Sequence, residues 1–141
     1  MNDLSWAATS RLVHQRADFC CEYCQTRQRV IGQAMHIEHI DPHGGDHPDN
    51  LGLACANCNQ SKGVATSAVD PVTQIGVPLF NPRQQIWDEH FAWDKEKTRL
   101  QGLTPVGRAT IERLKINIER MVFARRVWIS AGEHPPRENG A

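Results

Sequence analysis

The chain has 141 residues, with 16 Lys and Arg against 16 Asp and Glu and so no net charge. That length suits one domain (residues 1–141) with a modest core and excludes two independent ones. No run approaches the roughly 18 apolar residues of a membrane span, and Met1–Trp6 has no basic stretch leading into an apolar one, so a cytoplasmic protein without a membrane partner is expected. Zero net charge argues against a protein that grips nucleic acid by bulk electrostatics alone. The charge is unevenly spread, however. Residues 1–70 carry 5 basic and 8 acidic side chains and residues 71–141 carry 11 and 8. The C-terminal half is therefore the better phosphate-binding candidate, through Arg99, Arg108, Arg113, Lys115, Arg120, Arg125 and Arg126, although a solvated charged face explains the same run equally well.

Taken in order, Ser10–Phe19 is predicted to be a short helix, with Leu12, Val13 and Ala17 at helical spacing and Thr9 or Ser10 as its cap. It leads into a first cysteine pair, Cys21-Glu-Tyr-Cys24. Met35–Ile40 reads as a short strand stopped by Pro42, and His43–Asn50 as a loop rich in turn formers. Leu51–Ala54 is a second short strand running into Cys55-Ala-Asn-Cys58. A helix over Ala56–Lys62 then ends at Gly63. The central unit is expected over about 19–65, followed by a wrap and helices over about 66–131. Asp70-Pro, Val77-Pro and Asn81-Pro mark a connector without periodicity. Phe91–Asp94 and Thr98–Gly102 predict a hairpin with a charged turn, held to the body by Trp87, Phe91 and Trp93. Thr104-Pro105 caps and opens a helix through about Ile116, and a packing helix follows over about Ile118–Ala131. The tail, 132–141, is expected to be disordered.

The paired cysteines carry the first piece of chemistry. Two C-x-x-C turns about thirty residues apart supply four thiolates, the full tetrahedral complement of a structural zinc with no open position for substrate. Cys21, Cys24, Cys55 and Cys58 are the expected ligands, with Cys20 as an alternative to Cys21 at a spacing one residue longer. A second constellation lies between and just after the knuckles: His36, Glu38, His39, Asn50 and Asn59. Phosphodiester hydrolysis requires a base for water, compensation of charge in the transition state and neutralisation of the departing oxygen, which an imidazole and a divalent cation supply together. His39 fits the base. Glu38 and Asn59 offer the oxygen ligands that suit Mg2+ or Mn2+. On an ideal strand His36 shares the Glu38 face and is a candidate phosphate contact, as is Lys62 near its helix end. Strict alternation would send Glu38 and His39 to opposite faces, so a bulge or a strand end is expected there.

The run C-x-x-C, His-Ile-Glu-His-Ile-x-Pro, Gly-Gly, Asn-Leu, C-x-x-C-Asn and Lys-Gly, over residues 21–63, resembles the HNH endonuclease family with a zinc-bound ββα-metal finger. Pro78–Arg83, Trp87–Phe91 and Gly102–Thr110 resemble small stand-alone bacterial members. The resemblance implies an α+β, treble-clef-like finger with an N-terminal helix, a C-terminal hairpin and two C-terminal helices. It also implies a metal-dependent nuclease acting on DNA, with His39 as general base, Glu38 and Asn59 holding the catalytic cation, and Asn50 orienting the His39 loop. Glu38 stands where the family more often has aspartate, a change of one methylene that bears on rate and metal preference. Two other readings share these residues: a non-catalytic zinc module that binds nucleic acid, which has no use for His39 with Glu38 and Asn59, and a nuclease that is directed to RNA or depends on a protein partner.

Overall fold

The computed structural model describes residues 5–136, so the part of the predicted tail from 137 onward lies outside the described residues. The first helix, α1 (Trp6–Arg16), begins four residues earlier than the sequence pattern suggests. Ser5 caps it, its hydroxyl accepting the Ala8 N–H at 3.1 Å, and the good helix formers Ala7 and Ala8 fill its first turn. Thr9 and Val13, one turn apart, face the core. After the first knuckle comes a single helical turn, α2 (Gln28–Ile31), closed by Gly32 in the left-handed region.

Strands β1 (His36–His39) and β2 (Leu51–Ala54) pair antiparallel, His36 opposite Ala54 and His39 opposite Leu51. The register is unbroken, so no bulge occurs: β1 ends at His39, and Glu38 and His39 point to opposite faces. Helix α3 (Ala56–Lys62) starts at the second knuckle, where the Cys55 sulfur accepts the Cys58 N–H, and it stops at Gly63. This strand–strand–helix unit is the α+β finger that the sequence predicts.

The connector contains a hairpin that periodicity does not reveal, β3 (Ser67–Val69) with β4 (Gly76–Pro78). Each strand is only three residues long, too short for an alternation signal, and the pairing depends on Asp70. The fully buried Asp70 carboxylate accepts the N–H groups of Val72 and Thr73 and is gripped by Arg108 through two 2.9 Å hydrogen bonds. The Arg108 guanidinium holds this carboxyl well below the usual carboxylate range. A short helix α4 (Trp87–His90) then leads into the hairpin β5 (Phe91–Trp93) with β6 (Leu100–Gly102). Helices α5 (Pro105–Leu114) and α6 (Glu119–Ser130) follow. Thr104 caps α5 through the Gly107 N–H, and α5 lies so close to the hairpin that a Cβ on Gly107 would sit 2.1 Å from the His90 carbonyl oxygen.

The core gathers around the knuckles. Phe80 packs edge-on against Tyr23 and Phe91, while Trp87 donates its indole N–H to the Tyr23 carbonyl and Trp93 donates to Gln25. These aromatics are core, as expected. Residues 132–136, by contrast, are not the free tail the sequence suggests. His134 is buried edge-on against Trp93 with its ring hydrogen-bonded to the Lys97 carbonyl, and Glu133 pairs with Arg29 at 2.7 Å. An aromatic slot and an ion pair offset the ordering cost that the polar composition implies. Among the described residues no helix is long and apolar enough to cross a membrane. Phe80→Ala removes the ring that joins knuckle, wrap and hairpin, and is expected to destabilise the fold by about 3–5 kcal/mol in urea unfolding monitored by tryptophan fluorescence.

Candidate functional site

The sulfur atoms of Cys21, Cys24, Cys55 and Cys58 lie within 4.8 Å of one another, and all four residues are buried. The Cys24 and Cys55 sulfurs are 3.6 Å apart, close to the edge of about 3.8 Å expected for a tetrahedron of 2.3 Å zinc–sulfur bonds. The donor set therefore fits a four-thiolate zinc. Cys20 is half-exposed and outside this cluster, which settles the choice of ligand in favour of Cys21. As thiols, the four interact strongly. Burial pushes Cys21 up and hydrogen bonding to Cys21 pushes Cys58 up, whereas hydrogen bonds from its neighbours bring Cys24 well below the usual thiol range.

On one face of β1, Glu38 is only 6% exposed. Its carboxylate accepts a short hydrogen bond from the Tyr23 hydroxyl and, on its other oxygen, a 3.0 Å bond from the Lys62 ammonium. Burial and the neighbouring Glu38 both push the Tyr23 hydroxyl well up, which keeps it a donor. Lys62, 2% exposed, also donates to the carbonyls of His39 and Ile40 at 3.3 and 3.1 Å. An ammonium has three protons, and all three are used. Lys62 is therefore not the phosphate anchor that its place near a helix end suggests. It is a buried brace between α3 and the end of β1. Nor is Glu38 an open carboxylate: it enters the site already compensated by an ammonium.

Asn59 lies one turn before Lys62 on α3, half-buried, and its amide has no hydrogen-bond partner among the described residues. Each Glu38 oxygen retains a lone pair after the Tyr23 and Lys62 bonds. A carboxylate and an amide oxygen are donor types that suit a hard divalent cation, and at Glu38 the Lys62 ammonium already takes one of the two oxygens. Among the described residues, no group of three or more His, Cys, Asp or Glu side chains other than the four cysteines can hold a metal ion. His36 is exposed at the first position of β1 opposite Ala54, and its side chain makes no hydrogen bond among the described residues.

On the opposite face of β1, at its last position, His39 is 38% exposed and hydrogen-bonded through Nε2 to the Asp46 carboxylate at 2.6 Å. Asp46 belongs to the loop and was not singled out from the sequence. The only available signal was an acidic residue following the glycine pair, which any turn also accommodates. Asn50 fixes that loop. Its Oδ1 accepts the Asp41 N–H at 2.9 Å, and its amide nitrogen donates to the carbonyls of Asp41 and Gly45 at 2.9 and 2.8 Å. Gly44 is needed there because a Cβ would lie 2.7 Å from the Asn50 amide. Arg16 clamps the loop exit from α1, donating to the Pro48 and Leu51 carbonyls at 2.7 Å each. A cleft of about 520 Å3 opens beside Lys62 and Phe80, but His39 does not line it. The imidazole faces open surface, an arrangement suited to a polymer rather than to an enclosed small molecule.

Two outcomes are expected from this geometry. Lys62→Met leaves the Glu38 carboxylate buried without its cation and costs about 3–5 kcal/mol in urea unfolding, much of it recovered by adding Glu38→Gln. Cys55→Ala loses stoichiometric zinc, measured by a colorimetric chelator on denatured protein, together with the cooperative unfolding transition.

Comparison with curated proteins and with solved structures gives no match. The family model described as HNH endonuclease matches residues 21–64, the stretch that holds both knuckles, β1, the Asn50 loop, β2 and α3. Residues 21–64 thus match an HNH endonuclease domain.

Proposed function

We propose that the protein is an endonuclease that hydrolyses phosphodiester bonds in DNA, with His39 as general base. The observation that carries this reading is the exposed His39 imidazole at the end of β1, oriented by Asp46 on a loop that Asn50 and Arg16 hold in place. With its Nε2–H donated to the Asp46 carboxylate, the ring presents the Nδ1 lone pair to solvent. Nδ1 takes a proton from water as the water oxygen bonds to phosphorus and the bond to the 3′-oxygen breaks. The departing 3′-alkoxide takes a proton from solvent water, leaving 5′-phosphate and 3′-hydroxyl ends, and the imidazolium returns its proton to solvent.

Zinc in the four-cysteine cluster has a structural part, holding the two knuckles together. Glu38 and Asn59 are the residues that would hold a catalytic Mg2+ or Mn2+. Such an ion, when bound, neutralises charge on the pentavalent phosphorus and on the departing oxygen. The contribution of Lys62 is to fix Glu38 and the His39 carbonyl relative to each other, and that of Tyr23 is to hold the second Glu38 oxygen. His36, exposed at the start of β1, is a further candidate contact for substrate phosphate.

Cleavage of supercoiled plasmid by the wild type, with magnesium, with manganese and with both chelated, tests the reading. Metal-dependent nicking is expected, and His39→Ala should lower its rate by about 10²–10⁴-fold with zinc content and unfolding midpoint unchanged. Asp46→Asn, which leaves the imidazole present but loosely oriented, is expected to lower kcat with little change in KM. Full activity in His39→Ala would remove the base assignment. A zinc-loaded, folded wild type that cuts nothing in any condition would favour a non-catalytic binding module.

A further inference from the structure

The basic C-terminal run divides into two groups. Arg108 is paired with the buried Asp70, Arg99 is paired with Glu119, and Arg125 is buried with its guanidinium on the Thr98 and Ile116 carbonyls. These three are structural. Arg113, Lys115, Arg120 and Arg126 are exposed, and none forms an ion pair among the described residues.

Two of them reach α3 with their side chains, and the backbone of Lys115 meets it. Arg113 donates to the Lys62 carbonyl at 3.4 Å, and Arg120 to the Asn57 side-chain oxygen at 3.3 Å. The amide nitrogen of Asn57 in turn reaches the carbonyls of Leu114 and Lys115 at 3.3 and 3.2 Å. Lys115 sits there because the chain turns sharply after α5 through its left-handed conformation, φ 54°. The Lys62 side chain bonds the His39 carbonyl, so Arg113 is linked to the backbone of His39 through a single intervening residue. Exposed cations outside the described ion pairs thus flank α3, the helix that carries Asn59 and Lys62.

We propose that Arg113, Lys115 and Arg120 form the surface that carries the phosphate backbone of duplex DNA past His39, a reading that rests on the nuclease function proposed above. Phosphates follow one another at about 3.4 Å of axis per strand, so a backbone engaged at His39 presents a series of further phosphates to cations elsewhere on the finger. The absence of net charge does not preclude such a surface: Arg27, Arg29, Lys62, Arg83, Arg99 and Arg108 are paired with carboxylates, whereas these three cations are not among the described ion pairs. The exposed Phe123 and Val127 lie on the same side of α6 as Arg120, and a protein partner is the rival occupant of this face.

The test is binding of a fluorescein-labelled duplex by anisotropy at a series of salt concentrations, in the non-cleaving His39→Ala background. The variant Arg113→Ala/Lys115→Asn/Arg120→Ala removes three charges, asparagine being tolerated in the left-handed conformation at 115. Lys95→Ala/Lys97→Asn, in the turn of the β5–β6 hairpin, is the control for charge lost elsewhere, asparagine again suiting a left-handed position, φ 65° at Lys97. The triple variant is expected to weaken binding and to reduce the slope of log K against log salt by about 3, with the control slope unchanged. An unchanged slope in the triple variant, an equal loss in the control, or no duplex binding by the parent would each overturn the proposal. So would a dimer in solution that Phe123→Asp dissociates while duplex binding persists in the triple variant. Plasmid cleavage by the triple variant in an otherwise wild-type chain separates the two readings. His39-dependent cleavage that is insensitive to the triple change overturns this surface and leaves the nuclease standing. Salt-dependent binding lost in the triple variant by a protein that never cuts supports the surface and overturns the nuclease.

Discussion

The convergence of four sulfur atoms from two distant turns is the constraint on which the rest of the structure depends. A hairpin of two four-residue strands and a helix of seven residues have too little apolar surface to hold one another. Joining Cys21 and Cys24 to Cys55 and Cys58 fixes the start of α3 against the first knuckle and leaves the intervening segment one route, out along β1 and back along β2. The wrap then closes over this frame. Phe80, Trp87 and Trp93 each touch the knuckle region, and the later helices pack on what the wrap has built. The same frame sets the place of Lys62, because α3 is what brings its ammonium to the Glu38 carboxylate and the His39 carbonyl.

The two faces of β1 divide the labour. Glu38 and His39 are adjacent in sequence and opposite in environment: one is buried among Tyr23 and Lys62, the other is open to solvent and tied to Asp46. An unbroken strand register is what separates them. Adjacent groups of opposite role can be kept apart by pleat alone, without a bulge. Lys62 bridges the two faces by a different route, binding the carboxylate of one residue and the backbone carbonyl of the next.

Much of this was legible in the sequence. The extents of β2 and α3 follow from a glycine stop, a compact apolar run and the knuckle spacing, and the cysteine ligands follow from the spacing itself. What local pattern could not reveal is set by long-range partners. The β3–β4 hairpin depends on Asp70 meeting Arg108, thirty-eight positions away. The ordered segment through Pro136 depends on Trp93 and Arg29, and the inaccessibility of Lys62 depends on Glu38. Asp46 was missed because an acidic residue in a glycine-rich loop has an ordinary explanation, and only the fold shows a histidine within hydrogen-bonding distance.

The burial of the four sulfurs also has a kinetic side. Their residues are 0–3% exposed beneath the aromatic wrap, so neither a chelator nor an oxidant meets them in the closed fold. Any ion held there escapes only through openings of the wrap, and its rate of loss is set by the frequency of those openings rather than by the lability of metal–sulfur bonds. Exchange at this centre would then serve as a clock for local unfolding of the wrap.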